Sequence, residues 1–412
     1  MIGVTASCAL AKENAHVIAL ADTRDKNKML ELAAAAVLEN AAEILAANAK
    51  DVAHCERGAQ FADRLMLNES RLKDMAEGLE KLIELPNPIG EIAEEWTVPN
   101  GMRISKVRVP LGVIGIIYEA RPNVTVDAIG LCIKTGNAIV LRGSKEAYSS
   151  NEALVAAVKA RLRSGGYNPE FIQLIQDVSR EGAETLMTCR DYVDVLIPRG
   201  SASLIRTVVE KSTVPVIETG AGNCHAYIEQ TADIDKALDI VLNGKLRRPS
   251  VCNALESLLV DESAAKKFLP VILGALKEKG VEIVGCEKTR AVCPFVAPAS
   301  EDDYAAEYLA LKISVKVVRG VEEACEHINK YSTKHSEVIV TESKEAAEYF
   351  TSRIDSAAVY VNASTCFTDG FQFGFGAEMG ISTQKLHARG PLGLKQLTSE
   401  KYVIRGNGQV RA

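Results

Sequence analysis

What most constrains this chain is a repeating alternation of short β-rich runs with amphipathic helical stretches. The runs are Val113 to Ile117, Ala138 to Leu141, Phe171 to Leu174, Val193 to Ile197 and Val214 to Ile217, then Ser257 to Val260, Val281 to Val284, Val315 to Val318, Glu337 to Val340 and Ala358 to Val361. A strand that returns parallel to its neighbour needs a crossover, so this alternation predicts parallel sheets with helices on both faces. The runs fall into two blocks, which predicts two α/β domains.

The first ninety residues lack such runs. Leu30 to Val37 and Ala41 to Ala49 place apolar residues at three- and four-residue spacing, predicting helices, until Pro86, Pro88 and Gly90 break the pattern. Between Trp96 and Val109, Asn100-Gly101 separates two extended halves and signals a hairpin turn. An isolated hairpin is marginal in water, so this one is expected to lean on another domain or subunit. Leu397 to Arg405 reads as a further extended edge segment, and hairpin and tail together suggest an oligomer arm.

Composition narrows the function classes. With 412 residues, 47% hydrophobic and 25% charged, the chain can bury a large core. Its 48 Lys+Arg against 54 Asp+Glu argue against a general nucleic-acid binder, whose affinity comes from phosphate neutralisation. No run approaches the roughly 18 apolar residues of a membrane helix. No basic region precedes the first apolar stretch, which Lys12 and Glu13 interrupt, so a cytoplasmic location and no membrane partner are expected. The ten cysteines include no CxxC pair, and Cys286 and Cys293 lack neighbouring histidines, so no metal site or disulfide framework is expected.

Five segments carry residue types suited to chemistry. In Arg247-Arg248-Pro249-Ser250-Val251-Cys252-Asn253, cations precede a thiol and would favour its thiolate, although a buried inert cysteine fits the local sequence equally. Asn123 follows the strand of Val113 to Ile117 at its carboxyl edge, where its amide can donate to an oxyanion or cap a turn. Arg142, Ser144 and Lys145 end the next strand and suit a nucleotide phosphate as well as they suit solvent. Gly200 and Ser201 open a helix whose N–H groups can cradle a phosphate, yet the usual Gly-x-Gly-x-x-Gly fingerprint is absent. In Glu218-Thr-Gly-Ala-Gly-Asn-Cys-His225, Glu218 is a candidate base and His225 an acid or anchor, and each also serves as a turn residue.

The order and spacing of these segments resemble the aldehyde dehydrogenase superfamily, in which the general base precedes the nucleophile at the separation of Glu218 from Cys252. Within it the match is to the branch that reduces gamma-glutamyl phosphate. Arg-Pro-Ser-Val-Cys-Asn around Cys252 looks like that branch's nucleophile motif, and the stretch from Val318 through His327, Tyr331, His335 and Ser336-Glu337 to Ile339 fits its long signature. The run from Val361 to Leu394 is similarly characteristic. Cys325 replaces an expected aliphatic residue, and Cys366 stands where an Arg is common.

The resemblance implies an aldehyde dehydrogenase-like α/β fold: a Rossmann-like cofactor-binding domain (1–95 and 110–220), a catalytic domain (221–390) and a small β oligomerisation arm (96–109 and 391–412). It implies NADPH-dependent reduction of L-glutamyl 5-phosphate to L-glutamate 5-semialdehyde plus phosphate, the second step of proline biosynthesis from glutamate. Cys252 is then the nucleophile and Asn123 the oxyanion donor. Arg142, Ser144 and Lys145 hold the adenosine end of NADPH, Gly200 and Ser201 the pyrophosphate, and Glu307 the nicotinamide ribose. Glu218 becomes dispensable or orienting, because hydride delivery needs no activated water. His225, His335, Ser336 and Glu337 are substrate or motif residues. A homo-oligomer, dimer or tetramer, and transient association with glutamate 5-kinase complete the expectation. The rivals are a hydrolytic aldehyde dehydrogenase, which would need Glu218 to deprotonate water, and a noncatalytic partner of the kinase.

Overall fold

The structure is a computed structural model that describes residues 2–411, with the backbone alone at residues 59 and 60. The chain divides into two compact units. The first runs through Glu218 and takes back Gly374–Gly380 and the segment from Leu392; the second holds Thr219–Phe373 and Ile381–Pro391.

The first unit opens with five helices: α1 (Val4–Ala19), α2 (Thr23–Glu39), α3 (Ala41–Ala53), α4 (Ala59–Leu65) and α5 (Glu69–Glu84). Asp22 and Asn68 accept from the backbone N–H of Asp25 and Arg71 and so cap α2 and α5. On α5, Leu72, Met75, Ala76, Leu79 and Leu82 recur at helical spacing, and all are buried. The hairpin strands β1 (Ile92–Thr97) and β2 (Arg103–Pro110) then pair antiparallel, with Gly101 of the turn at φ +87°.

Next come β3 (Val113–Tyr118), α6 (Asn123–Thr135), β4 (Ala138–Arg142), α7 (Tyr148–Ser164), β5 (Ile172–Leu174), α8 (Arg180–Thr188), β6 (Val195–Arg199) and α9 (Ala202–Lys211). The four strands form a parallel sheet in the order β5-β4-β3-β6. Every residue of β3 is buried, as expected of a strand covered on both faces. The strand order reverses at β3, with β4 on one side and β6 on the other, the switch point at whose carboxyl edge open parallel sheets carry their ligand crevice.

The second unit is built from β7 (Cys224–Ile228), α10 (Ile234–Leu246), β8 (Leu255–Asp261), α11 (Ala265–Glu278), β9 (Glu282–Gly285), α12 (Glu287–Val292), β10 (Ala297–Pro298), α13 (Glu301–Ala305), β11 (Lys312–Val318), α14 (Gly320–Tyr331), β12 (Ser336–Val340), α15 (Lys344–Arg353) and β13 (Ala358–Val361). Its parallel sheet runs β10-β9-β11-β8-β7-β12-β13. Successive residues of β8 serve opposite faces: Leu258 and Val260 join the core of Phe268, Leu269 and Ile272, whereas Leu259 joins that of Ile328 and Phe350. Two short strands, β14 (Ile381–Ser382) and β15 (Gly390–Pro391), pair antiparallel in this unit.

The tail returns to the first unit as β16 (Thr398–Arg405), which pairs with β2 along its whole length and gives a sheet ordered β1-β2-β16. The hairpin therefore takes its third strand from its own chain. Among the described residues no helix is long and apolar enough to cross a membrane.

Two sequence expectations are corrected. Val214 to Ile217 forms no strand: Pro215 has no N–H, and the segment makes an isolated bridge, in which Leu196 donates to the Pro215 carbonyl at 2.8 Å and accepts from Ile217 at 2.9 Å. His225 lies not in a turn but in β7, fully buried in the second unit's sheet. A side chain at a left-handed φ costs about 1–2 kcal/mol. Gly101→Ala is thus expected to lower the urea midpoint of the first unit, followed by circular dichroism, and an unchanged midpoint would mean that the turn relaxes.

Candidate active site

The loop that joins α10 to β8 carries Cys252, and one buried ion pair holds both its ends. Lys245, in the last turn of α10, meets Glu256, early in β8, at 2.6 Å with both side chains fully buried. The other Glu256 oxygen accepts the Leu309 N–H at 3.1 Å, so the same carboxylate anchors the segment containing Glu307. Burial pushes the Glu256 carboxyl up to about 7, opposed by Lys245 and by the Leu309 N–H, and pushes the Lys245 ammonium down.

Between these ends the backbone around Cys252 is clasped. The Cys224 thiol donates to the Cys252 carbonyl at 3.2 Å. A Cβ on Gly222 would run into that same carbonyl, so only glycine permits the approach. The Asn253 side-chain amide donates to the carbonyls of Cys366 and Thr368 at 3.3 and 3.0 Å, and the Asn253 backbone carbonyl accepts the Thr365 hydroxyl at 2.7 Å. Cys252 itself stays half-buried, whereas Cys8, Cys132, Cys189, Cys224, Cys293, Cys325 and Cys366 are buried. Of the other half-buried cysteines, Cys286 accepts the Val317 N–H and Cys55 packs in a small apolar cluster.

Glu307 joins this group through Gly222, whose N–H it accepts at 2.7 Å. Burial raises the Glu307 carboxyl, and that N–H opposes the rise. Gly222 precedes β7, Cys252 precedes β8, Glu307 precedes β11 and His335 precedes β12, so all four lie at the amino edge of one parallel sheet.

The signature residues cross-link that edge. Glu337 of β12 accepts the backbone N–H of His225 in β7 at 2.7 Å, lies 3.3 Å from His225 Nδ1, and takes the hydroxyls of Ser332 and Ser356. His335 Nδ1 lies 2.8 Å from the Ser336 hydroxyl and 3.8 Å from Cys224 Sγ, which places it one contact behind the Cys252 carbonyl. Burial holds His335 down to about 4 and His327 to about 2, so both rings are neutral near pH 7.

In the first unit the candidates gather at the carboxyl edge of the four-stranded sheet. Asn123 opens α6, exposed, and its amide donates to Asp127 at 2.9 Å. Ser201 caps α9, accepting the Leu204 N–H through its hydroxyl. The Glu119 carboxylate, one residue past β3, accepts both the Ser201 N–H at 3.1 Å and the Ser201 hydroxyl at 3.2 Å. A negative group thus already sits on the helix start read from sequence as a phosphate cradle. Arg142 donates to the carbonyls of Val178 and Ser179, both at 2.7 Å, and burial lowers its pKa. Ser144 Oγ is buried without a partner, and Lys145 is exposed. Glu218 is half-buried at the end of this unit.

A model described as the aldehyde dehydrogenase family matches residues 4–306. The chain belongs to the aldehyde dehydrogenase family. The gamma-glutamyl phosphate reductase of Moorella thermoacetica is 57% identical over 404 residues, 97% of each chain, and that of Heliobacterium modesticaldum is 55% identical over 404 residues with the same coverage. The crystal structure of gamma-glutamyl phosphate reductase from Thermotoga maritima aligns with a TM-score of 0.97 at 48% identity, covering 99% of this chain and 100% of that one.

Cys366, where an Arg is common in the branch, is buried and donates from Sγ to the carbonyls of Asn243 and Gly244 at 3.6 and 3.7 Å, so here that position packs against α10. Cys325 is a core residue of α14. Lys245, Glu256, Glu119 and Asp127 are absent from the candidates that the sequence motifs supply. Glu256 carries a visible signal, a lone charge within the apolar run Ala254 to Val260, and Asp127 another, a carboxylate four residues after Asn123 on a helix.

Removing one partner of a buried ion pair strands the other charge. Lys245→Met is expected to cost about 3–5 kcal/mol in chemical denaturation, and pairing it with Glu256→Leu to recover most of that loss. If the single change is harmless, the pair does not hold the loop.

Proposed function

We propose that this chain reduces L-glutamyl 5-phosphate to L-glutamate 5-semialdehyde, releasing phosphate, with NADPH as reductant, in the second step of proline biosynthesis. The observation that carries the reading is a half-buried thiol, Cys252, on a backbone clasped from several sides, in a chain matched along 97% of its length by gamma-glutamyl phosphate reductases.

In this reading the Cys252 thiolate attacks the acyl carbon and forms a C–S bond. The tetrahedral oxyanion takes hydrogen bonds from the Asn123 amide and the Cys252 backbone N–H, then collapses with cleavage of the carbon–oxygen bond to phosphate. The clasp on the Cys252 carbonyl orients its peptide and keeps the thiol from retreating into the core. NADPH, when bound, supplies the hydride that converts the thioester to the aldehyde with return of the thiolate. No water is activated in this sequence, so Glu218 has an orienting role or none.

The residues of the first unit fit that cofactor. Ser144 Oγ is a buried donor without a partner beside the cations of Arg142 and Lys145, suited to the adenosine end and its 2′-phosphate. Glu119 stands in for an anion on Ser201, and it yields to the pyrophosphate at Gly200 and Ser201. Glu307 serves the nicotinamide ribose. The first unit is then the cofactor-binding domain, the second the catalytic domain, and the β1-β2-β16 sheet an oligomer arm, in a cytoplasmic homo-oligomer that meets glutamate 5-kinase transiently.

The reaction run backwards tests this most directly. Purified protein with glutamate-5-semialdehyde, phosphate and NADP is expected to produce NADPH absorbance, and Cys252→Ala to abolish it. Asn123→Ala is expected to lower kcat about 10²–10³-fold. Turnover without phosphate would overturn the phosphorylating reading.

A further inference from the structure

We propose that Asp127 is a positioning residue for the oxyanion donor: its carboxylate holds the Asn123 amide nitrogen end first toward the reacting carbonyl. The proposal rests on the reading of Asn123 as that donor.

An asparagine side chain has two nearly isosteric ends of opposite character, an NH2 that donates and an oxygen that only accepts. At an oxyanion site the wrong end would repel the developing charge. Asn123 is exposed at the first position of α6, where an unrestrained side chain is free to present either end. Asp127 lies one helical turn later on the same face and accepts from Asn123 Nδ2 at 2.9 Å. An ionised carboxylate accepts and cannot donate, so it selects the nitrogen end and leaves the second hydrogen of that nitrogen for another acceptor.

The surroundings suit that task. Asp127 is half-buried at the crevice edge of the four-stranded sheet, and Arg199, the last residue of β6, supplies the nearby positive charge. Burial lifts the Asp127 carboxyl to about 6, opposed by the Asn123 amide and Arg199, so above neutral pH it is in the acceptor-only form. A neutral Asn or Ala at position 127 would not impose this orientation, because an amide offers both a donor and an acceptor and a methyl neither.

The test is a double-mutant cycle in the reverse assay, with kcat and KM measured for wild type, Asp127→Asn, Asp127→Glu, Asn123→Ala and Asp127→Asn with Asn123→Ala, beside thermal unfolding of each. Asp127→Asn keeps the shape but removes the one-way acceptor. It is expected to lower kcat about 10- to 100-fold with little change in KM or in unfolding temperature, and Asp127→Glu to restore part of the loss. In the Asn123→Ala background the same change is expected to lower kcat no further, because there is no amide left to orient. Wild-type kcat in Asp127→Asn, or an equal loss in both backgrounds, overturns the positioning role and leaves Asn123 as donor. Wild-type kcat in Asn123→Ala overturns the donor reading itself.

Discussion

A single buried carboxylate, that of Glu256, ties together three stretches of chain around Cys252. A charge taken out of water must be met by opposite charge and by donors, so Glu256 binds Lys245 with one oxygen and the Leu309 N–H with the other. The last turn of α10, the start of β8 and the segment after Glu307 are therefore not independent. Cys252 lies between the first two, and Glu307 reaches back through Gly222 to the Cys252 carbonyl. The contact with Cys252 is backbone on backbone, since the space at Gly222 admits not even a methyl group.

The candidate residues of the two units lie at opposite edges of their parallel sheets. In the first, Arg142 ends β4, and Asn123, Gly200 and Ser201 follow the carboxyl ends of β3 and β6, at the reversal of strand order where open parallel sheets carry their ligands. In the second, Gly222, Cys252, Glu307 and His335 precede their strands, at the amino edge. No general rule for open sheets points there. The edge is instead made chemically specific by polar side chains crossing between strands, with Glu337 joining β12 to β7 and Cys224 joining β7 to the Cys252 loop. His335, Ser336 and Glu337, which read from sequence as substrate or motif residues, are buried here, and a neutral histidine with paired hydroxyls sets the positions of neighbouring backbones.

Much of the fold was legible because burial on both faces leaves a local mark. Ile114, Ile116 and Ile117 of β3, or Leu258, Leu259 and Val260 of β8, form apolar runs of strand length that no helix face demands. Where the mark fails, the reading fails. β7 opens with Cys-His and follows a glycine-rich stretch, so it passes for a turn, and its burial comes from strands β8 and β12, which are distant in sequence. Val214 to Ile217 carries the mark but not the strand, because Pro215 cannot complete a ladder.

The sequence by itself determined the α/β class, the helical N-terminal segment, the hairpin turn at Asn100-Gly101 and, through motifs, which thiol to suspect. Each of these depends on residues within a few positions of one another. Only the tertiary structure decided that Glu256 pairs with Lys245 and Leu309, that Glu119 rather than solvent meets Ser201, and that Gly222 backs the Cys252 carbonyl. Those partnerships join residues from separate elements. They follow from the order in which strands pair, which the packing of the whole unit selects and no local propensity encodes.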